Sequence, residues 1–220
     1  MEGPGAVSAL AEGQAALLGG AGFFVLEESA EVEVLLLGSI GAQDPARRFI
    51  EENGYSKSSE YWLMSIDLED EPAAPAWPAG IEHRTFLEED AHAVKTLLDV
   101  SYAEEPHHIP LAFDDWRTFM LGDPSYDPGV WFVATSGDEF VGAALNWREG
   151  YVKDVVVHPD WRGRGLGKAL MLQTFGEFAR RGIRHVSLKT ESTNPNRAWR
   201  FYEHLGMRKE RTYELFEKKT

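Results

Sequence analysis

The fold of this chain is decided by the stretch "VVVHPDWRGRGLGKALM", Val155–Met171. It begins as an apolar run typical of a strand, turns at a proline, and continues in a pattern typical of an amphipathic helix. At the junction, glycines at alternate positions stand among basic residues: Arg162, Gly163, Arg164, Gly165, Gly167 and Lys168. A cluster of bases at a helix start requires an explanation, because the chain has a formal net charge of −14.

The junction has the features of an anion site. The free N–H groups of a helix's first turn, together with the positive end of its dipole, bind anions. Glycines let the backbone approach a phosphate closely, and Arg162, Arg164 and Lys168 add charge and donors. The segment therefore predicts a pyrophosphate site. The plain alternative is a glycine-rich turn with scattered surface bases.

Two common phosphate loops do not match this segment. The Rossmann pattern needs G-x-G-x-x-G, whereas the spacing here is G-x-G-x-G. The Walker pattern needs G-K-[ST], and Lys168 is followed by Ala169.

Composition indicates a folded protein without thiol chemistry. The 220 residues are 43% hydrophobic and 12% aromatic, which suits one large domain or one and a half ordinary ones. Cysteine is absent, which excludes disulfides, zinc–thiolate sites and cysteine nucleophiles, and fits a reducing compartment. The longest apolar run, Val34–Ile40, is strand-sized, and the N-terminus has no signal-peptide pattern. We expect a cytoplasmic protein with no membrane partner.

Charge is spread unevenly along the chain. Residues 1–79 hold 14 acids and 3 bases, whereas residues 80–220 hold 22 acids and 19 bases. A nucleic-acid partner is disfavoured, because phosphate contacts need a basic surface. The acidic first region fits either a cationic partner or simple solubility.

The stretch "EDEPAAPAWPAG", Glu69–Gly80, is the clearest boundary, because acids, prolines and small residues favour extended chain. We expect a first unit over 1–70, a linker over 71–80 and a second domain over 81–220. In the second region, strand patterns alternate with helical ones, which predicts a mixed α/β sheet. The expected helices are 88–102, 114–121 with an Asp cap, 165–181 and one within 195–205.

The two regions resemble each other at a constant offset of 152 positions, the distance from Arg48 to Arg200. Both copies follow the pattern strand, helix, glycine turn, strand, which favours a degenerate duplication. The segment before the first copy, Ala6–Gly20, is interpreted as a helix. The first region would thus correspond to the C-terminal half of a unit that is complete in the second region.

The segment Arg162-x-x-Gly165-x-Gly167 resembles the [RQ]-x-x-G-x-[GA] motif of the GNAT superfamily of acyl-CoA-dependent N-acyltransferases. Downstream, "NPNRAWRFYEHLGM" is similar to the family's second motif helix and turn. The resemblance covers about residues 80–220, and many members pair a complete domain with a degenerate unit. It implies a seven-stranded mixed sheet whose fourth and fifth strands splay apart, with acetyl-CoA as cosubstrate.

The resemblance also implies roles for individual residues. The pantetheine arm would lie along Val155, Val156 and Val157, hydrogen-bonded to the backbone of the first and third. Asn194 or Asn196 would touch the cofactor near the splay. Residues expected to hold the pyrophosphate are Arg162, Gly163, Arg164, Gly165, Leu166, Gly167 and Lys168.

Amide formation from a thioester needs a neutral amine, a polarised carbonyl and a protonated leaving thiol. By the resemblance, Tyr202 lies near the thioester sulfur and acts as general acid. From the residues alone, Tyr202 is a core aromatic of its helix. The first copy has Ile50 in this position, so we infer that the first copy cannot catalyse.

The general base is less defined. The family often places a Glu eight residues before the motif proline, and here Tyr151 takes that position. Glu149 and Asp154 are possible substitutes, although strand alternation places Asp154 on the face opposite Tyr151. His107 and His108, in the loop where the family usually contacts its acceptor, are further candidates. A metal site at this histidine pair is not expected, because no third ligand has suitable spacing.

The sequence favours an acetyl-CoA-dependent N-acetyltransferase that acts on a small-molecule primary amine within a ternary complex. A non-catalytic acyl-CoA sensor and a protein or peptide N-acetyltransferase remain open. The incomplete first unit would expose an apolar sheet, so we also expect it to pack on the second domain or to form a homodimer.

Overall fold

The computed structural model describes residues 16–18, 21–28, 32–38, 45–104, 110–193 and 196–219, with side chains described from Arg47 onward. The strands are β1 Ala16–Leu18, β2 Ala21–Glu28, β3 Val32–Gly38, β4 Ser56–Asp67, β5 Glu82–Thr85, β6 Phe132–Ser136, β7 Glu139–Trp147, β8 Tyr151–Val157, β9 His185–Glu191 and β10 Arg208–Lys219. The helices are α1 Pro45–Glu52, α2 Ala91–Tyr102, α3 Phe113–Leu121, α4 Leu166–Arg180 and α5 Ala198–His204. None of these described helices is long and apolar enough to cross a membrane.

The chain forms two compact units. One unit is Ser65–Leu188, and the other combines the described parts of Met1–Met64 and Lys189–Thr220. The unit boundaries fall inside β4 and β9, whereas the boundary predicted from the sequence was the proline-rich linker. The domain limits 1–70 and 81–220 therefore stay a prediction.

The unit Ser65–Leu188 is built on strands in the order β9-β8-β7-β6-β5. Neighbours are antiparallel except β8 and β9, which run parallel. Helix α4 packs against one sheet face, where Leu166 and Leu170 contact Phe132, Ala134 and Ala144. Helix α2 contacts β7 and β8, and its Tyr102 hydroxyl bonds to Asp154 of β8. The predicted mixed α/β sheet is confirmed.

The other unit has its strands in the order β1-β2-β3-β10-β4-β9. Strands β2 and β3 are antiparallel, as are β3 and β10. Residues 81–220 supply six of the described strands, β5 to β10, and β4 of the first region lies beside β9. The Ser192 N–H donates to the Glu60 carbonyl at 2.8 Å at that junction.

The predicted repeat appears in the element bounds. Strand β4 and strand β10 have 12 residues each, and their first residues, Ser56 and Arg208, stand at the predicted offset. Ile50 and Tyr202, which occupy equivalent positions of α1 and α5, are both buried. The bounds support a duplication, and the interpretation of the first region as a partial acetyltransferase unit stays a proposal.

Two local predictions were wrong. The segment Ala6–Gly20 was interpreted as a helix, but Ala16–Leu18 is a strand paired with β2; residues 6–15 lie outside the described part. Helix α3 has Ala112 rather than Asp114 at its N-cap, without a side-chain cap, and Asp114 and Asp115 lie in its first turn. Acids in the first turn favour the helix through its dipole even when they do not cap it.

Candidate functional site

Strands β8 and β9 run parallel where their pairing is described. The pairing joins Tyr151 to Ser187 and Val152 to Leu188. Leu188 is the last residue of this unit, so the splay of the two strands beyond it stays a prediction. On its other side, β8 pairs with β7 through residues 151, 152 and 154–157.

The register shows which backbone groups of β8 point away from β7. The His158 N–H donates to the Val141 carbonyl at 2.9 Å, and Val157, Val156 and Val155 follow in the ladder with β7. Because hydrogen-bonded pairs alternate along an antiparallel ladder, the backbone groups of Val155 and Val157 point away from β7. Those of Val156 point toward β7, so the register does not favour the predicted contact of Val156 with the cofactor.

The chain reaches helix α4 through a short turn. Pro159–Trp161 forms a 3₁₀ turn, and Gly163 and Gly165 adopt positive φ angles of 74° and 87°. The first backbone bond into α4 runs from the Ala169 N–H to the Gly165 carbonyl, 3.0 Å. No described residue accepts a hydrogen bond from the N–H groups of residues 163–168. The helix thus begins with a row of unused donors.

The three basic side chains of the junction have different surroundings. Arg162 donates to the carbonyls of Ser101, at 2.9 Å, and of Val157, at 3.4 Å, and to the Glu104 carboxylate at 2.9 Å. Arg162 therefore holds the turn against the end of α2. The exposed Arg164 guanidinium stacks over the Trp161 ring at 4.6 Å, and Lys168 is exposed.

These residues fit the diphosphate of coenzyme A. An ideal Cβ built on Gly163 or Gly165 would meet nothing within 4 Å, so the space above both glycines is open. Unused N–H donors surround that space, and Arg164 and Lys168 add positive charge beside it. The backbone groups of Val155 and Val157 that point away from β7 lead along β8 to the same place, which suits an extended arm bound like an additional strand.

A β-bulge changes which face Asp154 occupies. Opposite β7, Asp154 pairs with Leu145 and Val152 pairs with Asn146, so Lys153 is an extra residue. A bulge shifts strand alternation by one position. The sequence expectation that Asp154 faces away from Tyr151 was therefore wrong, because both side chains lie on the α2 face.

The other predicted bases lie in varied places. Tyr151 begins β8 and is partly buried. Glu149 is in the β7–β8 hairpin turn, 55% exposed and 3.5 Å from Arg148, which does not favour a catalytic role. His107 and His108 lie outside the described residues. Among the described residues, no group of three or more His, Cys, Asp or Glu side chains could hold a metal ion.

Tyr202 and Asn196 belong to the other unit, so only their surroundings within that unit are given. Tyr202, on α5, is 8% exposed, and its ring lies 5.2 Å from that of Phe201. Asn196 is exposed just before this helix, and Asn194 lies outside the described residues. The roles of all three stay predictions.

The mixed sheet and the glycine-rich helix start define a class of protein. A model of the acetyltransferase (GNAT) family matches residues 91–207, and the chain belongs to this family.

Curated relatives make the comparison more specific. The mycothiol acetyltransferase of Beutenbergia cavernae is 30% identical over 205 residues, 85% of this chain and 68% of the relative. That of Thermobispora bispora is 30% identical over 166 residues, 70% of this chain and 55% of the relative. The chain thus spans between half and about two thirds of the length of these relatives.

Solved structures agree with the fold. A GCN5-related N-acetyltransferase from Sphaerobacter thermophilus has a TM-score of 0.72 and 30% identity, covering 84% of this chain and 59% of that one. A tandem GNAT protein from the clavulanic acid biosynthesis pathway has a TM-score of 0.61 and 19% identity, covering 86% and 64%. The second likeness supports the fold alone.

Proposed function

We propose that this chain transfers an acetyl group from acetyl-CoA to the primary amine of a small molecule. The observation that carries the proposal is the helix start that follows β8, where open space above Gly163 and Gly165 lies beside the unused N–H donors of residues 163–168. Family membership supports the same conclusion. The curated relatives bear the name mycothiol acetyltransferase, which favours a catalyst over a non-catalytic acyl-CoA sensor.

The chain's own groups bind and orient the donor. The backbone of Val155 and Val157 holds the pantetheine arm, and the N–H groups of residues 163–168 hold the diphosphate, aided by Arg164 and Lys168. Acetyl-CoA supplies an acetyl group activated as a thioester. Binding both substrates side by side makes the attack effectively intramolecular, and proximity of this kind is worth up to about 7–11 kcal/mol of the barrier.

Protons must balance during the transfer. The acceptor ammonium loses a first proton to a base, and its nitrogen then forms the new C–N bond while the C–S bond breaks. The nitrogen gives up a second proton as the amide forms, which restores the general acid, and the thiol leaves with the last proton, supplied by that acid. We assign the last proton to the Tyr202 hydroxyl and retain Asn194 and Asn196 as cofactor contacts. A base at Tyr151, or water in its place, takes the first proton.

We further propose that residues 1–70 form a partial, degenerate unit, joined by a linker over 71–80 to the domain 81–220. The match between α1 and α5 and between β4 and β10 supports this proposal. Ile50 has no hydroxyl where α5 has Tyr202, so the first unit has no proton donor there.

Calorimetry with acetyl-CoA, followed by an acceptor screen that measures free-thiol release, tests the function. We expect heat on cofactor binding, amine-dependent thiol release, and a product heavier by one acetyl group. Binding without turnover on any amine would instead support a sensor. Turnover restricted to peptide N-termini would support a protein acetyltransferase, and absence of binding would contradict all three.

A further inference from the structure

A cavity of about 200 Å3 lies between β8, α2 and α3 within one compact unit. Leu98, Trp116 and Met120 form its buried apolar floor. At its mouth, Leu111 and Phe119 are 47% and 54% exposed. Large apolar side chains at a cavity mouth are typical of a ligand site.

One end of the cavity is polar. The Tyr102 hydroxyl donates to Oδ1 of Asp154 at 2.9 Å, and only 13% of the Asp154 side chain is exposed. Oδ2 of Asp154 accepts no hydrogen bond from a described residue, and the Lys153 ammonium lies 3.5 Å from it. That separation exceeds a normal hydrogen bond. Oδ2 therefore retains its capacity to accept hydrogen bonds from a ligand.

The second carboxylate of the cavity is differently engaged. Both oxygens of Asp99 accept hydrogen bonds from the Lys95 ammonium, at 2.6 and 2.5 Å. The Lys95 side chain is only 8% exposed, and Asp99 is its ion-pair partner. Both Asp99 oxygens are thus hydrogen-bonded to Lys95, whereas Asp154 forms an ion pair with Lys153 at 3.5 Å and retains hydrogen-bonding capacity at Oδ2 for a ligand.

Asp154 also lies next to the backbone groups assigned to the acyl arm. It directly precedes Val155, whose backbone groups point away from β7. The bulge at Lys153 turns the carboxylate toward α2 and the cavity. A group bound to Asp154 would therefore lie beside the strand edge assigned to the acyl arm.

We propose that Asp154 binds the ammonium group of the acceptor, and that the cavity holds an apolar group carried by the same molecule. This inference rests on the proposed function and names its substrate class. Alkyl amines have a pKa of about 10, as lysine does, and so arrive as cations. The cavity has the volume of roughly seven water molecules, since each occupies about 30 Å3. It suits a compact aromatic or branched alkyl group and excludes a folded peptide segment.

Binding of amines to the full chain tests the inference directly. Calorimetric titrations, with and without coenzyme A, would compare phenethylamine with ethanolamine, which has an ammonium but no apolar group. We expect phenethylamine to bind at least about 10-fold more tightly, because it buries its ring. Equal affinities, or no heat with either amine in both conditions, would overturn the inference.

Asp154→Asn tests the anchor. Asn can still accept the Tyr102 hydrogen bond, so the fold is retained while the charge is lost. We expect an affinity for phenethylamine about 10- to 100-fold weaker, the range for a hydrogen bond to a charged group. Asp138→Asn, in the exposed β6–β7 turn, makes the same charge change away from the cavity and serves as control. Equal effects of the two substitutions would contradict a role for Asp154.

Kinetics separates this inference from the proposed function. Asp154→Asn should raise KM for the amine with less change in kcat, and should leave acetyl-CoA affinity unchanged. Phe119→Ser, at the exposed mouth, should remove the preference for phenethylamine even if Asp154→Asn does not fold. If acetyl-CoA gives no heat, the proposed function fails. If both variants keep the wild-type KM for the amine and turn over acetyl-CoA normally, only the assignment of the cavity is refuted.

Discussion

Arg162 and Ser101 are joined by a hydrogen bond of 2.9 Å from the guanidinium to the Ser101 carbonyl. The arginine of the motif thus connects the turn before α4 to the end of α2. The Arg162 side chain is 30% exposed, and Glu104, its partner in an ion pair, is 60% exposed. The backbone contact accordingly contributes more than the ion pair, because exposed ion pairs contribute at most about 1 kcal/mol.

Arg162→Ala should lower the free energy of unfolding by about 1–3 kcal/mol, because the substitution leaves carbonyls without their donor. Arg164→Ala should cost about 0.5–1 kcal/mol, since it removes an exposed stack on Trp161. Urea unfolding of both variants measures the difference. A larger loss for Arg164→Ala would contradict the positioning role of Arg162.

Gly165→Ala should weaken acetyl-CoA binding about 10- to 100-fold, because a Cβ would protrude among the N–H donors. The left-handed φ of 87° adds about 1–2 kcal/mol of destabilisation. Gly137→Ala is the matched control: its φ is 58°, its Cβ would meet nothing within 4 Å, and it lies in the β6–β7 turn. The control should show a similar stability loss with unchanged affinity in calorimetry. Equal affinities for the two variants would count against the diphosphate cradle.

Tyr202→Phe should reduce kcat about 10²- to 10⁴-fold, the usual contribution of a general acid, with nearly unchanged acetyl-CoA affinity. Tyr126→Phe is the control: the Tyr126 hydroxyl is buried with no hydrogen-bond partner among described residues, and its burial raises the pKa of Tyr126. Steady-state kinetics on the best acceptor compares the two. An unchanged rate in Tyr202→Phe removes the proposed proton donor.

Asp90 should make stability depend on pH. Burial alone would raise the pKa of Asp90. The Arg84 guanidinium, which donates two hydrogen bonds at 2.6 and 2.8 Å, and the Leu87 N–H, which donates one at 2.8 Å, outweigh burial and lower that pKa. The stabilisation by the ionised Asp90 carboxylate is therefore complete above the pKa of Asp in the unfolded chain, about 3.9. It is lost as the pH falls through the lower pKa of Asp90 in the folded protein.

Asp90→Asn should consequently cost about 1–3 kcal/mol at pH 7, and the difference from the wild type should shrink near pH 3. Denaturant unfolding at both pH values provides the measurement. A difference of the same size at pH 3 would show that the carboxylate charge is not involved.

A fragment beginning at residue 71 should fail to fold as a stable monomer. The fragment lacks β4, which lies beside β9 in the sheet. Just after β4, the Leu68 N–H donates to the carbonyl of Arg184, the residue before β9, at 2.7 Å. The exposed edge of β9 would favour aggregation. Size-exclusion chromatography and circular dichroism would show this, and a folded monomeric fragment would contradict it.

The sequence predicted the glycine–arginine turn well, because such a turn depends on local signals. Gly163 and Gly165 have the left-handed angles that glycine tolerates. The separation of two neighbouring parallel strands came from the family resemblance and stays a prediction.

The sequence could not predict the bulge at Lys153 or the anchoring role of Arg162. A bulge depends on how β8 pairs with β7, and one sequence contains no pairing register. The partner of Arg162 is 61 residues away, at Ser101, so no local pattern could reveal it. The pairing of β4 with β9 also joins residues far apart in the sequence. The repeat predicted that β4 is a strand but did not specify which strand lies beside it.

The order β3-β10-β4-β9 means that each of the two repeated segments ends in a strand that lies beside the other segment's first strand. The first segment therefore completes the sheet whether or not it takes part in catalysis. Ile50 of α1 occupies the position equivalent to Tyr202, and an apolar residue there is compatible with this strand order. Loss of β4 is not, because β10 and β9 would each lose a neighbouring strand.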